Sequence, residues 1–225
     1  SVLDAKLEKA LSFLTELLTG QRWENSAQVL AFLRQQRAAM AEQTVMAGHN
    51  AAMSRVLACS TAGGAVQEQV SGITFLRWLM ELEQDFPVRF PALAEELKAL
   101  SRRLFCLARM TVSVTAGDKS SAGAAARLLS DSLPEGSFVL PCTASILPWE
   151  SRREGIVIPS GVSYAALGGV FQEAGQGAAK VMGHTVSLAH LWNTVRVQGG
   201  AYGTGMVLRD TGFAGFYSYR DPSAA

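Results

Sequence analysis

The sequence is poor in most features that mark a specialised polypeptide. Its net charge is only +1, from 20 basic and 19 acidic side chains. No long-range field therefore favours nucleic acid or an anionic membrane as partner. No apolar run approaches the ~18–20 residues needed to span a bilayer. The start, Ser1-Val-Leu-Asp-Ala-Lys6, lacks the basic-then-apolar layout of a secretory signal. Cysteine is scarce: Cys59, Cys106 and Cys142 are far apart and odd in number, which argues against a disulfide framework. They read as reduced core thiols of an intracellular protein. What the chain does have is apolar mass, with 48% hydrophobic against 17% charged residues and a mean hydropathy of +0.16. That composition excludes disorder. The 225 residues suit one large domain or two modest ones. A chain of this size buries about 70% of its unfolded surface, so it folds without a metal or disulfide staple.

The first half is patterned for helix. Leu7, Leu11, Leu14 and Leu18 recur at steps of three and four, and Thr19-Gly20 closes that segment. A longer helix is expected from Asn25-Ser26, carrying Val29, Leu30, Leu33 and Met40 and running on toward Val56. Its Gln-, Arg- and Glu-rich face points to water. Ser60–Ala65 reads as a turn of small residues. A third helix follows with Val66, Val70, Ile73, Leu76 and Met80 on its stripe, and Gly72 inside it suggests close packing. Pro91 suits the first turn of a fourth helix through Leu93, Leu97, Leu100 and Leu104.

Near Met110 the period changes. Met110-Thr-Val-Ser-Val-Thr115 alternates apolar and polar, the pattern of a strand with one face buried. A short helix is expected from Ser120 to Leu133, then a loop from Pro134 to Pro148. Strands are expected at Gly155–Ile158 and Val162–Gly168. A helix from Gly177 to Arg196 follows, with Val181, Thr185, Leu188, Trp192 and Val195 stacked along it. A final pair of strands, Thr204–Leu208 and Phe213–Tyr219, flanks the hairpin turn Arg209-Asp210-Thr211-Gly212. The fold class is α+β, helical over residues 1–108 and mixed over 109–225.

Most catalytic chemistries lack their residues. A zinc helix needs two histidines at i and i+4 with a carboxylate nearby. His184 and His190 are six apart, about 120° out of phase on a helix of 3.6 residues per turn. Neither His-Glu-x-x-His nor the inverted His-x-x-Glu-His occurs, and His49 is followed by Asn-Ala-Ala-Met. No metal ligand set is therefore assigned, and the three histidines read as interior or surface residues. There is no Gly-x-Ser-x-Gly elbow. Gly175-Gln-Gly177-Ala-Ala-Lys180 lacks Walker spacing, and the Gly199–Gly205 cluster lies between helix and strand, the wrong order for dinucleotide binding.

One segment does suggest chemistry: Arg196-Val-Gln-Gly199-Gly200-Ala-Tyr202-Gly203. Its layout is a helix end, a glycine reversal, then a strand starting at tyrosine. Gly199 and Gly200 let the chain turn through positive φ and let another chain come close. Arg196 and Tyr202 can then point to one side as hydrogen-bond donors. A guanidinium with a phenol hydroxyl suits a peptide carbonyl and the oxyanion formed when water attacks it. The same spacing fits a plain helix C-cap with a surface Arg and a packed Tyr, and spacing alone favours that plainer reading.

The segment Arg196-Val-Gln-Gly-Gly-Ala-Tyr202-Gly, followed by Gly215-Phe-Tyr-Ser-Tyr-Arg-Asp-Pro222, resembles the C-terminal half of presequence-protease-like enzymes, a subgroup of the pitrilysin/insulinase metallopeptidases. Gly48-His-Asn-Ala-Ala-Met-Ser-Arg55 and Glu68-Gln-Val-Ser-Gly-Ile-Thr-Phe-Leu76 are similar to the helical segment that precedes that half. The resemblance implies two clam-like halves of α+β domains around a chamber that admits short unfolded peptides. It implies a zinc site in the N-terminal half, and an Arg and a Tyr lent by the C-terminal half. By motif those two are Arg196 and Tyr202, with Gly199 and Gly200 shaping the substrate-binding turn.

On this resemblance the chain is a C-terminal piece: residues 1–108 are the end of the third family domain and 109–225 most of the fourth, truncated. Its expected partners are the zinc-bearing N-terminal half of the same polypeptide and unfolded peptide, with neither nucleic acid nor membrane. Zinc belongs to the parent enzyme and no cofactor to this piece, which is expected to be inactive alone. The compartment would be a bacterial cytoplasm or an organelle matrix. The alternative is a non-catalytic structural or peptide-holding subunit of the same fold.

Overall fold

A computed structural model of the chain describes residues 3–113, 115, 119–137, 146–171, 176–210 and 212–222. In chain order it forms α1 (Leu7–Thr19), α2 (Ser26–Met46), α3 (Gly48–Ser60), α4 (Ala62–Ser71), α5 (Ile73–Gln84), α6 (Phe86–Leu104) and α7 (Lys119–Ser132). Strand β1 (Ser163–Val170), helix α8 (Gln176–Thr185), a π-helix (Val186–Gln198), β2 (Gly203–Arg209) and β3 (Phe213–Asp221) complete it. Helices plus an antiparallel sheet make the α+β class expected from the pattern. No helix of the described residues is long and apolar enough to cross a membrane.

Two compact units interleave along the chain. One takes Ser1–Phe32 and Asp85–Thr143, where α1 packs on α6 and α7. Its buried side chains are Phe86, Ala94, Cys106, Ala125, Leu129 and Leu133. Helix α6 starts earlier than expected, at Phe86, with Pro87 in its first turn and Pro91 inside it. Pro87 loses nothing there, because the N–H it lacks would have had no partner in the first turn. The expected strand at Met110–Thr115 is not formed among the described residues of that stretch, which pair with no other strand. Alternation makes one face buriable, but a strand also needs a ladder partner. Of the cysteines, Cys106 is buried, Cys59 is half-buried and both are free thiols; Cys142 lies outside the described residues.

The other unit takes Leu33–Gln84 and Ala144–Ala225. Its sheet runs β1-β3-β2, antiparallel throughout. Thr204 and Ala165 both face Ser218, and Gly205 and Ala166 both face Tyr217. The hairpin between β2 and β3 closes with the Gly212 N–H donating to the Arg209 carbonyl at 3.0 Å. Thr211 lies outside the described residues. The segment Gly155–Ile158 is not a strand, since among the described residues no neighbour pairs with it.

The helix expected from residue 26 toward Val56 breaks at Ala47, which separates α2 from α3. The expected turn at Ser60–Ala65 is instead the start of α4. Thr61 caps that helix, its hydroxyl accepting from the Gly64 N–H at 3.0 Å, so the glycine pair enters the first turn. At Gly72 the expected third helix divides into α4 and α5. Val66, Val70 and Met80 are exposed, and the buried face is Ala65, Glu68, Ile73, Leu76, Leu79 and Leu82.

A buried ion pair displaces that stripe. Glu68 is 0% exposed and Arg55 6%. Glu68 accepts from Arg55 Nη1 (3.1 Å), the Ser54 hydroxyl (2.6 Å) and the Thr74 N–H (3.2 Å). Arg55 also forks onto Glu154 through Nε (2.5 Å) and Nη2 (2.8 Å), and its guanidinium centre lies 4.9 Å from the Trp149 ring centroid. Arg55 holds the Glu154 carboxyl below the usual carboxylate range. Gly72 is required by this packing: a Cβ there would lie 1.9 Å from a Glu68 carboxylate oxygen. Helix α3 then lies against β1 and β3.

Candidate functional site

The helix leading to Arg196 changes its hydrogen bonding as it goes, from α over Gln176–Thr185 to π over Val186–Gln198. The expected stripe faces outward already in the α-helical part, at Val181, and continues so into the π-helix. Val181, Leu188 and Trp192 are exposed, while Gly183 packs against Leu208. The Ser187 hydroxyl donates to the Gly183 carbonyl and accepts from the Met206 N–H of β2. This polar clasp fixes the helix to the sheet through its small residues. π-Helical turns are rare and occur often at functional sites.

At the end of the π-helix the backbone is tied down by three bonds. The Gly199 N–H reaches the Thr194 carbonyl (3.0 Å), the Gly200 N–H that of Arg196 (3.0 Å) and the Ala201 N–H that of Val195 (3.2 Å). The two glycines divide the labour anticipated for them. Gly200 takes the positive φ, +80°, whereas Gly199 remains helical at φ −82°. Gly199 supplies room, since a Cβ there would lie 2.7 Å from the Val195 carbonyl oxygen. The reversal buries Ala201 and starts β2 just beyond Tyr202, whose N–H donates to the Arg220 carbonyl.

Arg196 and Tyr202 come together at this turn. The Arg196 guanidinium centre is 4.0 Å from the Trp192 ring centroid and 5.6 Å from that of Tyr202. Tyr202 is 65% exposed. No hydrogen bond or ion pair to the guanidinium is found among the described residues. The aromatic neighbours engage the cation through their rings, and its N–H donors remain available for a carbonyl or carboxylate.

Behind Tyr202 the rings continue inward. The Tyr202 ring meets Tyr219 edge-on at 5.8 Å, and Tyr219 meets His49 edge-on at 4.7 Å. Tyr217 and Tyr164 also approach His49, at 5.3 and 6.2 Å. All four tyrosines of the chain thus belong to one cluster. Tyr164 anchors it by donating its hydroxyl to the Val45 carbonyl at 2.8 Å, and its ring lies where a Cβ on Gly48 would fall. Sequence pattern alone marks His49 as no more than an ordinary interior or surface residue. Its half-buried place in this cluster follows from chain topology, and no local motif announces it.

Burial holds the His49 imidazole below its ordinary value of 6.5. The folded state therefore resists protonating it, and the unfolded chain takes up the proton first as pH falls. The stability this contributes is complete above about 6.5 and is lost as pH drops through that value toward the lower folded one. Wild-type urea midpoints should fall between pH 7.5 and 5.5, and the fall should shrink in His49→Gln. A His49→Gln chain with the full wild-type fall would show that other groups carry it.

Among the described residues no three or more His, Cys, Asp or Glu side chains converge as a ligand group. His184 and His190 are exposed, and His49 is ringed by tyrosines. These residues do not fit a zinc ion.

Two family models match the chain. The model of the region associated with subgroup C of the M16 peptidases matches residues 1–82, and the PreP C-terminal domain model matches residues 153–225. Presequence protease 1, chloroplastic/mitochondrial, of Arabidopsis thaliana is 32% identical over 204 residues, 85% of this chain and 18% of that protein. Protein HypA of Clostridium perfringens is 26% identical across 98% of this chain and 23% of its own length. The mitochondrial presequence protease of Yarrowia lipolytica is 27% identical, again over 98% and 23%. The chain thus spans about a fifth of the length of these relatives. It belongs to the presequence-protease-like M16 peptidases, and corresponds to the subgroup's associated helical region and its PreP C-terminal domain.

Proposed function

We propose that this chain is the substrate-gripping C-terminal part of a zinc-dependent oligopeptidase that degrades short unfolded peptides in a closed chamber. Residues 1–108 would be the end of the third family domain and 109–225 most of the fourth. The zinc would be carried by the N-terminal half of the same polypeptide, so the piece alone would not cleave peptides. Arg196 and Tyr202 are the residues that meet the substrate, and Gly199 and Gly200 shape the turn that presents them.

The observation that carries this reading is the state of the Arg196 guanidinium. It stands against two aromatic rings, with no acidic partner among the described residues, beside an exposed phenol. An arginine that served stability alone would be expected to commit its donors to a carboxylate, as Arg55 does to Glu68 and Glu154. Hydrogen-bond donors preset toward a carbonyl stabilise the negative charge that develops on its oxygen during hydrolysis. Tyr202 offers one such donor and Arg196 a charged one.

The test uses the whole polypeptide that carries this sequence and an internally quenched unfolded peptide. Tyr202→Phe removes one hydroxyl and keeps the ring against Tyr219. Turnover should fall about ten-fold or more with metal content unchanged. Unchanged kinetics would remove Tyr202 from the site. A parent that binds the peptide without cleaving it would establish the peptide-holding role instead.

A further inference from the structure

The guanidinium of Arg196 has a neighbour that neither its role nor its motif requires. Trp192, one turn earlier on the π-helix, is 40% exposed, and its ring centroid lies 4.0 Å from the guanidinium centre. Tyr202 is the more distant of the two rings at 5.6 Å. A large aromatic side chain left this exposed gains little from burial. Indole is also the strongest of the side-chain rings for holding a cation. Arginine is long and rotamer-rich, so an unrestrained guanidinium would have to be immobilised each time a ligand binds. Among the described residues Arg196 has no carboxylate to hold it.

We propose that Trp192 is a positioning residue: its indole fixes the Arg196 guanidinium against the ring, so that the in-plane N–H donors are aimed at the ligand before it arrives. The proposal rests on the reading of Arg196 as a substrate ligand and adds how that ligand is preorganised. A guanidinium held face-on to the ring keeps its donors free, because carbonyls and carboxylates approach its edge. A carboxylate partner would fix the arginine equally well but would occupy the same edge.

The experiment is steady-state cleavage of an internally quenched unfolded peptide by the whole enzyme carrying this chain. The variants are Trp192→Ala, Trp192→Phe, Trp192→Leu, Arg196→Ala and the pair Trp192→Ala/Arg196→Ala. Trp192→Ala is expected to lower kcat/KM about five- to ten-fold. Trp192→Phe should stay within about two-fold of wild type, because it keeps an aromatic face. Trp192→Leu, apolar but without a π face, should behave like Ala. In the Arg196→Ala background, Trp192→Ala should add nothing, since the group it positions is gone.

A merely structural tryptophan would predict the opposite pattern, with Leu rescuing as well as Phe and the Ala loss persisting without Arg196. Either of those results overturns the proposal, as does Trp192→Ala at wild-type kcat/KM. If Arg196→Ala is impaired and Trp192→Ala is not, this inference fails alone. If Arg196→Ala itself is silent, the underlying reading of the site fails with it.

Discussion

Arg55→Ala is expected to destabilise the sheet-bearing unit by about 3–5 kcal/mol, the cost of removing one partner from a buried ion pair. The size of the effect follows from what stays behind. Glu68 has no exposure to solvent, and without Arg55 its carboxylate keeps only the Ser54 hydroxyl and the Thr74 N–H. Glu154 loses its forked partner at the same time, and Trp149 loses the cation beside its ring. The loss is thus dominated by a stranded charge rather than by missing attraction. Arg55→Ala/Glu68→Gln should accordingly recover more than half of it, since a neutral amide can still accept from the Thr74 N–H through its oxygen and donate its NH2 to the Ser54 hydroxyl oxygen. Urea midpoints at pH 7.5 measure both. A single-variant loss below about 1 kcal/mol, the range of a surface pair, would contradict this account.

The ion pair also explains why part of the fold is legible in the sequence and part is not. Helices α1 and α7 and the three strands of the sheet follow from periodicity and turn chemistry, although Leu14 of the α1 stripe is exposed. Of the stripe through Val66, Val70, Ile73, Leu76 and Met80, Ile73 and Leu76 are buried while Val66, Val70 and Met80 are exposed, because an apolar count misses that the element buries a glutamate. What offsets the cost of that burial is Arg55, on a different helix, and periodicity carries no information about such a partner. Gly72 is legible as a site of close packing, though not as the point where the helix divides. The alternation at Met110–Thr115 meets the sequence condition for a half-buried strand, but a strand also needs a ladder partner, which the described residues do not supply.

At the candidate site the balance is similar. Arg196, Gly199, Gly200 and Tyr202 lie in one local segment, so their order and spacing already imply a helix end, a reversal and two donors. His49, Tyr164, Tyr217 and Tyr219 reach the site from separate places in the chain, brought together by the register of β1 and β3 and by the start of α3. Trp192 is legible as part of an apolar helix, yet periodicity puts it on the inward stripe. That stripe faces outward already at Val181, because the helix meets the sheet through the small residues Gly183 and Ser187, which a count of apolar positions does not register.

The second large effect is expected at Arg196. Arg196→Ala takes away a charged donor, and in the whole enzyme it should reduce kcat/KM on the order of 10²-fold. Arg196→Lys keeps the charge but replaces a planar fork with a compact ammonium, which neither stacks flat on Trp192 nor donates two parallel bonds. It should therefore recover only a minor part of the loss. Both variants should fold as the wild type does, because the Arg196 guanidinium makes no hydrogen bond or ion pair among the described residues that stability would miss.

The most direct measurement is kcat/KM for an unfolded peptide with the whole enzyme and its Arg196→Ala variant, alongside zinc content and the urea midpoint of each. The account predicts a loss on the order of 10²-fold with metal loading and stability unchanged. Cleavage at the wild-type rate by a folded, fully loaded Arg196→Ala enzyme would contradict it.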